Sequence, residues 1–165
     1  MKTILILTVM LYGSQSFAQL PDKVLFNKAM DKVSHDTLVC SVYLTYVEKA
    51  IKSNPSATQY TIDKYKDEAD KALQLSSQAI AATDQSEAER TELLKARMSS
   101  AYEKMSTQID RNFNNMSVLF KKYAAGCQAW LRNPDAEMLR TIKKTWADHG
   151  ADPTEMLKKL AEAQS

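Results

Sequence analysis

The strongest constraint on the fold is a seam in the second half of the chain. Met98, Tyr102, Met105, Ile109, Asn112, Met116, Leu119, Tyr123, Gly126 and Trp130 follow one another in unbroken steps of four and three. Such spacing places one side chain per turn on a single helical face, and a face of this kind must be covered by other helices. No proline and no glycine falls between Met98 and Ala125. The seam therefore predicts one long helix running from about Asp84 to Trp130. Asn112 is the exception on it, a lone amide of the kind that fixes register in helical bundles at a cost in stability.

The rest of the chain agrees with an all-α reading. Glycine and proline are scarce, at 3 and 4 of 165 residues, as befits a chain built mostly of helix. Val24, Leu25, Phe26, Ala29, Met30 and Val33 give a short amphipathic helix between Pro21 and Ser34. In DTLVCSVYLTYVEKAI, Leu38, Cys40, Val42, Leu44 and Tyr46 alternate as in a strand, while Val39, Val42, Tyr43, Tyr46, Val47 and Ala50 form a helical stripe. An isolated strand is unstable and nothing else in the chain offers a partner, so Asp36 to Lys52 reads as helix. Asn54 with Pro55, Asn133 with Pro134 and Asp152 with Pro153 resemble N-caps followed by proline in the first turn. The second long helix is then expected from Pro55 to Ala82, with Ile62, Tyr65, Ala69, Ala72, Ser76 and Ala79 on its packing face. Asp84 with Glu87, or Ser86 with Glu89, forms a capping box for the next helix. Two shorter helices, Pro134 to His149 stopped by Gly150, and Pro153 to Ala163, complete an elongated helical bundle or hairpin of about five helices.

Residues 1–18 read as a cleavable secretory signal: Lys2, a short apolar run from Ile4 to Tyr12, and small residues at Ser16 and Ala18 before Gln19. The run is shorter than the roughly 20 residues that span a bilayer. Residues 19–165 are left as a single helical domain, expected in the periplasm or secreted, with no transmembrane segment. Its 21 basic and 20 acidic residues, once Lys2 is removed, leave almost no net charge, and nothing in that balance points to nucleic acid.

Cys40 and Cys127 are the only cysteines. In an oxidising compartment they are expected to pair, whereas two free thiols would require a reducing one. Without a CxxC pair the bond reads as structural rather than redox-active. An antiparallel pair of long helices turning near Asp84 brings together residues whose numbers sum to roughly 168, and the two cysteines fit that register if the Asp36 to Lys52 helix runs on past Pro55. If the chain instead folds back there, Cys40 falls level with about residue 98. The bond then requires the long helix to break near Asn112 to Asn115. The uninterrupted composition favours the unbroken helix.

Reactive constellations are not legible. Ser34, His35 and Asp36 are the residue types of a catalytic triad, but sequence neighbours cannot converge on one substrate atom, and Ser34 or Asp36 reads as the cap of the next helix. His149 sits at a helix C-terminus, where the dipole favours a cation. Asp67 with Lys71 and Glu92 with Lys95 are surface pairs at helical spacing. No catalytic, cofactor-binding or metal-binding residue is assigned. The Asn115-Met116-Ser117 sequon reads as a chance match beside the seam. Tyr123 and Trp130, with Trp146, are either core aromatics or a binding patch, core being the commoner role.

VCSVYLTYVEKAI, the Tyr- and Ala-rich helix after it, and NFNNMSVLFKKYAAGC together resemble a group of small exported bacterial proteins without an assigned function, over Val33 to Arg132. That resemblance implies export, helicity and a Cys40 to Cys127 pair, and brings no catalytic residue. AYEKM and QAWLR (Gln128 to Arg132) are similar to the LprI-type lysozyme inhibitors, although Met138 stands near where that group places a cysteine. The expectation is a non-enzymatic interaction protein of inhibitor, immunity or accessory type whose partner is another protein. The alternative is a carrier of a small molecule or lipid.

Overall fold

A computed structural model describes residues 23–162. The signal sequence expected at residues 1–18 lies outside them. Among the described residues there are six α-helices, one short 3-10 turn and no strand. The helices are α1 (Lys23–Lys52), α2 (Gln59–Ala81), α3 (Glu87–Gln108), α4 (Ser117–Arg132), α5 (Pro134–Asp148) and α6 (Thr154–Glu162), with the 3-10 turn at Phe113–Asn115 between α3 and α4.

The two helices expected before Lys52 are one. Ser34 and Asp36 do not cap anything; Ser34 is fully buried within α1. From Thr37 to Val47 nearly every position of α1 is buried, including Leu38, Val42, Tyr43, Leu44 and Val47. A helix covered on all sides carries apolar residues all round, which is why this stretch mimics the alternation of a strand. Phe26, Met30, Ile142 and Trp146 belong to the same core.

After α1 the chain folds back. Asn54 does not open α2; its side chain accepts the Ser56 N–H at 3.0 Å within the turn, and Thr58 is the N-cap, accepting the Thr61 N–H. α2 then runs antiparallel to α1. Its small residues Ala69, Ala72, Ser76 and Ala79 are buried, as close helix approach requires. Ser76 lies 3.0 Å from the Ser34 hydroxyl and donates to the Ser34 carbonyl at 2.8 Å.

At the α2–α3 turn, Asp84 accepts from Asn27 at 2.9 Å and pairs with Lys23 at 2.9 Å. The Asn27 bond, then that of Lys23, hold its carboxyl below the usual range. Ser86 and Glu89 form the capping box, and the Ser86 hydroxyl and N–H likewise lower the Glu89 carboxyl. α3 therefore runs back in the direction of α1, tied to it by Arg97 on Asp31 at 2.7 Å and by the Tyr46 hydroxyl donating to the Tyr102 carbonyl at 3.0 Å.

The long helix is broken, contrary to the sequence expectation. Asp110 and Arg111 adopt left-handed backbone, with φ of 51° and 56°. The Asp110 N–H donates to Thr107 and the Arg111 N–H to Ser106, the paired bonds of a Schellman helix ending. Asn112 leaves the seam altogether: it is exposed and caps the 3-10 turn by accepting the Asn114 N–H. Asn115 donates to the Ile109 carbonyl at 3.2 Å, satisfying another helix-end acceptor. α4 reverses from there, and Cys40 of α1 is bonded to Cys127 of α4 with a Cα separation of 5.2 Å. The bond thus arises in the folded-back arrangement rather than the extended hairpin.

α5 begins as expected, with Asn133 as N-cap and Pro134 in the first turn. It ends at Gly150, φ 67°, where the Gly150 and Ala151 N–H groups donate to Ala147 and Trp146. Asp152 accepts from the Thr154 N–H at the start of α6. Among the described residues no helix is long and apolar enough to cross a membrane.

Candidate functional site

α3 and α4 both pack on α1, but they diverge from each other over the disulfide. The gap is an open cleft of about 640 Å³. Its floor is Val39, the Cys40–Cys127 bridge, Met105 and Trp130. The two cysteines are 4% and 3% exposed, so the bridge is almost wholly covered at the bottom of the cleft. Ala96 and Ser100 of α3 face Gly126 of α4 across the opening.

The rim is cationic. Arg97 and Lys104 come from α3, Lys122 from α4 and Arg140 from α5, against one lining carboxylate, Asp36. Some of this charge is already engaged: Arg97 with Asp31, Arg140 with Glu137 and Asp36 with Lys32 at 3.1 Å. Lys104 and Lys122 have no acidic partner among the described residues. Lys122 lies over the Tyr123 ring at 5.2 Å, and the Tyr123 hydroxyl donates to Gln108 at 3.2 Å, which fixes that wall.

Of the four aromatic or polar residues singled out from sequence, Tyr123 and Trp130 meet here, whereas Trp146 is fully buried in the core. Tyr123 is a half-buried wall residue and Trp130 a buried floor residue, while Asn112 lies in the exposed turn outside the cleft. His35 and Asp36 reach the rim, but Ser34 points into the α1–α2 core. The three therefore do not converge. His149 Nδ1 lies 2.8 Å from the Thr145 carbonyl and Nε2 lies 3.1 Å from Lys28 Nζ, so the residue ties the end of α5 to the start of α1. Among the described residues, no group of three or more His, Cys, Asp or Glu side chains is placed to hold a metal ion.

Arg97, Lys104, Lys122, Arg140 and Gly126 were not anticipated as site residues. Their one sequence signal is spacing: Lys122 and Gly126 share a face of α4, as do Ser100 and Lys104 on α3. Nothing local says that those faces diverge.

A second, smaller hollow of about 240 Å³ lies on the other side of the disulfide, lined by Tyr43, Tyr65, Phe120, Lys64, Glu68 and Arg132 among others. Burial, reinforced by Tyr65, pushes the Tyr43 hydroxyl up to about 12. Phe120 packs edge-on against Tyr43 with ring centres 6.0 Å apart. No protein-family model, no curated protein and no solved structure matches the chain.

Proposed function

We propose that the protein is an exported, non-enzymatic interaction module that holds an acidic segment of another protein in the cleft over the disulfide. The observation that carries this reading is the rim: two lysines without acidic partners among the described residues stand on opposite walls of an apolar-floored opening. In a chain with 22 basic and 20 acidic residues, that local excess of cations is not a consequence of composition. Charged groups arranged in this way select and steer an oppositely charged partner. The signal-like N-terminus and the disulfide support an extracytoplasmic setting.

A photo-crosslinking residue at Ser100 in cells exporting the protein tests the reading. One discrete protein adduct is expected, with the crosslink mapping to an acidic stretch of the partner, and Lys104→Glu with Lys122→Glu should abolish it. An adduct that survives the double charge reversal would refute the assignment.

The cleft volume favours a second reading, a carrier of a small amphipathic anion, because pockets of this size accommodate drug-sized ligands. Native mass spectrometry of protein recovered from the cell envelope should then show a bound anion whose retention depends on the same lysines.

A further inference from the structure

We infer that Gly126 is the point at which the backbone of the bound segment crosses the cleft, with an acidic side chain reaching Lys104 and Lys122 and an apolar one directed at Met105 and Trp130. The inference rests on the reading of the cleft as a site for an acidic protein segment.

Gly126 lies well inside α4, where glycine is less favourable than alanine because it adds backbone entropy to the unfolded chain. Glycine is retained at such a position when the backbone needs positive φ or when another group comes too close for a Cβ. Neither holds within this chain. Gly126 has no positive φ, and a Cβ built there meets nothing within 4 Å. The space it leaves is the cleft itself.

The facing wall repeats the pattern. Ala96 and Ser100 are small and exposed, one turn apart on α3. Small residues on two helices usually permit those helices to touch, yet here the cleft stands between them. Lys122 is one turn before Gly126 and Trp130 one turn after it, while Lys104 is one turn beyond Ser100. A chain lying between Ser100 and Gly126 therefore has a cation on either side and an apolar floor below it. The charge complement is an acidic segment with one apolar anchor.

Selection of a random displayed-peptide library on the intact, oxidised protein provides the probe, followed by affinity measurement on variants. Enriched peptides are expected to combine acidic residues with one bulky apolar residue and to lose binding in the Lys104→Glu, Lys122→Glu protein. Gly126→Ala should raise Tm by about 2–3 °C while weakening the selected peptides by about tenfold or more, and Gly126→Leu should abolish their binding through the clash it builds into the cleft. Ala125→Gly, on the neighbouring exposed position, should lower Tm and leave peptide affinity unchanged.

Acidic peptides that bind Gly126→Leu as tightly as the parent would overturn the role of Gly126 and leave the cleft reading standing. Enriched peptides that are not acidic, or that ignore the charge reversal, would overturn both. No peptide enrichment together with lysine-dependent binding of laurate would also overturn both, in favour of the small-anion carrier. A fall in Tm for Gly126→Ala would show that the fold itself needs the glycine and would remove the argument.

Discussion

Replacing Cys40 and Cys127 together by alanine is the perturbation whose size the fold determines most directly. The bridge joins residues 87 positions apart. In the chain-entropy description, closing a loop of that length removes about 4–5 kcal/mol of freedom from the unfolded state. Both sulfurs are buried, and their loss leaves a small void worth about 1 kcal/mol more. Alanine is preferable to serine here, since two hydroxyls placed beneath an apolar floor would add a desolvation cost unrelated to the cross-link. With an unfolding entropy of about 2.1 cal/mol/K per residue, a loss of about 5 kcal/mol lowers Tm by about 15 °C for a chain of this length.

Thermal unfolding followed by circular dichroism gives the shift, and guanidinium unfolding gives the reason for it. If the bridge acts on the unfolded chain, its removal exposes more surface on unfolding and the m-value rises. Helical signal at low temperature should be nearly unchanged, because α1 and α4 bury their own apolar faces. A fall in Tm of less than about 4 °C with an unchanged m-value would refute the entropic account. Collapse of the helical signal at low temperature would instead show that α4 has no docking energy of its own.

Other expectations concern positions where the structure makes a local demand. Ser76→Ala leaves the buried Ser34 hydroxyl without its side-chain partner and should cost about 1–3 kcal/mol, with Ser34→Ala plus Ser76→Ala costing less than the sum of the single changes in chemical denaturation. Arg111→Gly relieves a left-handed backbone at φ 56° and should stabilise by up to about 1 kcal/mol in the same assay; a loss of stability would mean that the Arg111 side chain contributes more than its strain costs. Tyr43 has its hydroxyl raised to about 12 against an ordinary 10.0. Its contribution to stability is therefore complete below pH 10 and is lost as the pH rises toward 12, because the unfolded chain ionises first. Tyrosinate absorbance should show one lagging tyrosine that vanishes in Tyr43→Phe.

What could be read from the sequence was set by how local its cause is. The Ser86–Glu89 capping box, the Asn133–Pro134 start and the Gly150 stop each depend on a few adjacent residues, and each appears as expected. The break after α3 uses the same Schellman ending as Gly150 but places Asp110 where glycine is usual, so its strongest composition signal is missing. The seam continues numerically through Asn112 although the helix does not. Between Thr37 and Val47 of α1, burial at nearly every position erased the polar face by which a helix is recognised. Ser34 looks like a boundary in sequence because its partner, Ser76, lies on another helix. The cleft was illegible for the same reason: Lys104 and Lys122 are ordinary surface lysines until α4 reverses.

That reversal makes the disulfide a determinant of the cleft as well as of stability. Ala101 and Cys127 both line the opening, yet on an unbroken helix their 26 intervening steps would hold them about 39 Å apart. Folding back at Asp110 and Arg111 brings them together, but it does not by itself decide what α4 packs against. The bridge fixes α4 on α1, with Cα atoms 5.2 Å apart, while Asp31 and the Tyr102 carbonyl hold α3 on α1 independently. Neither helix is thereby drawn onto the other at Ser100 and Gly126. Without the bridge, α4 gains freedom to slide toward α3 and bury the small residues that now face solvent. The Cys40→Ala, Cys127→Ala protein should therefore remain helical below its lowered Tm yet lose affinity for cleft-directed peptides. Retained affinity at a temperature where the variant is folded would show that α4 is positioned by its apolar contacts alone.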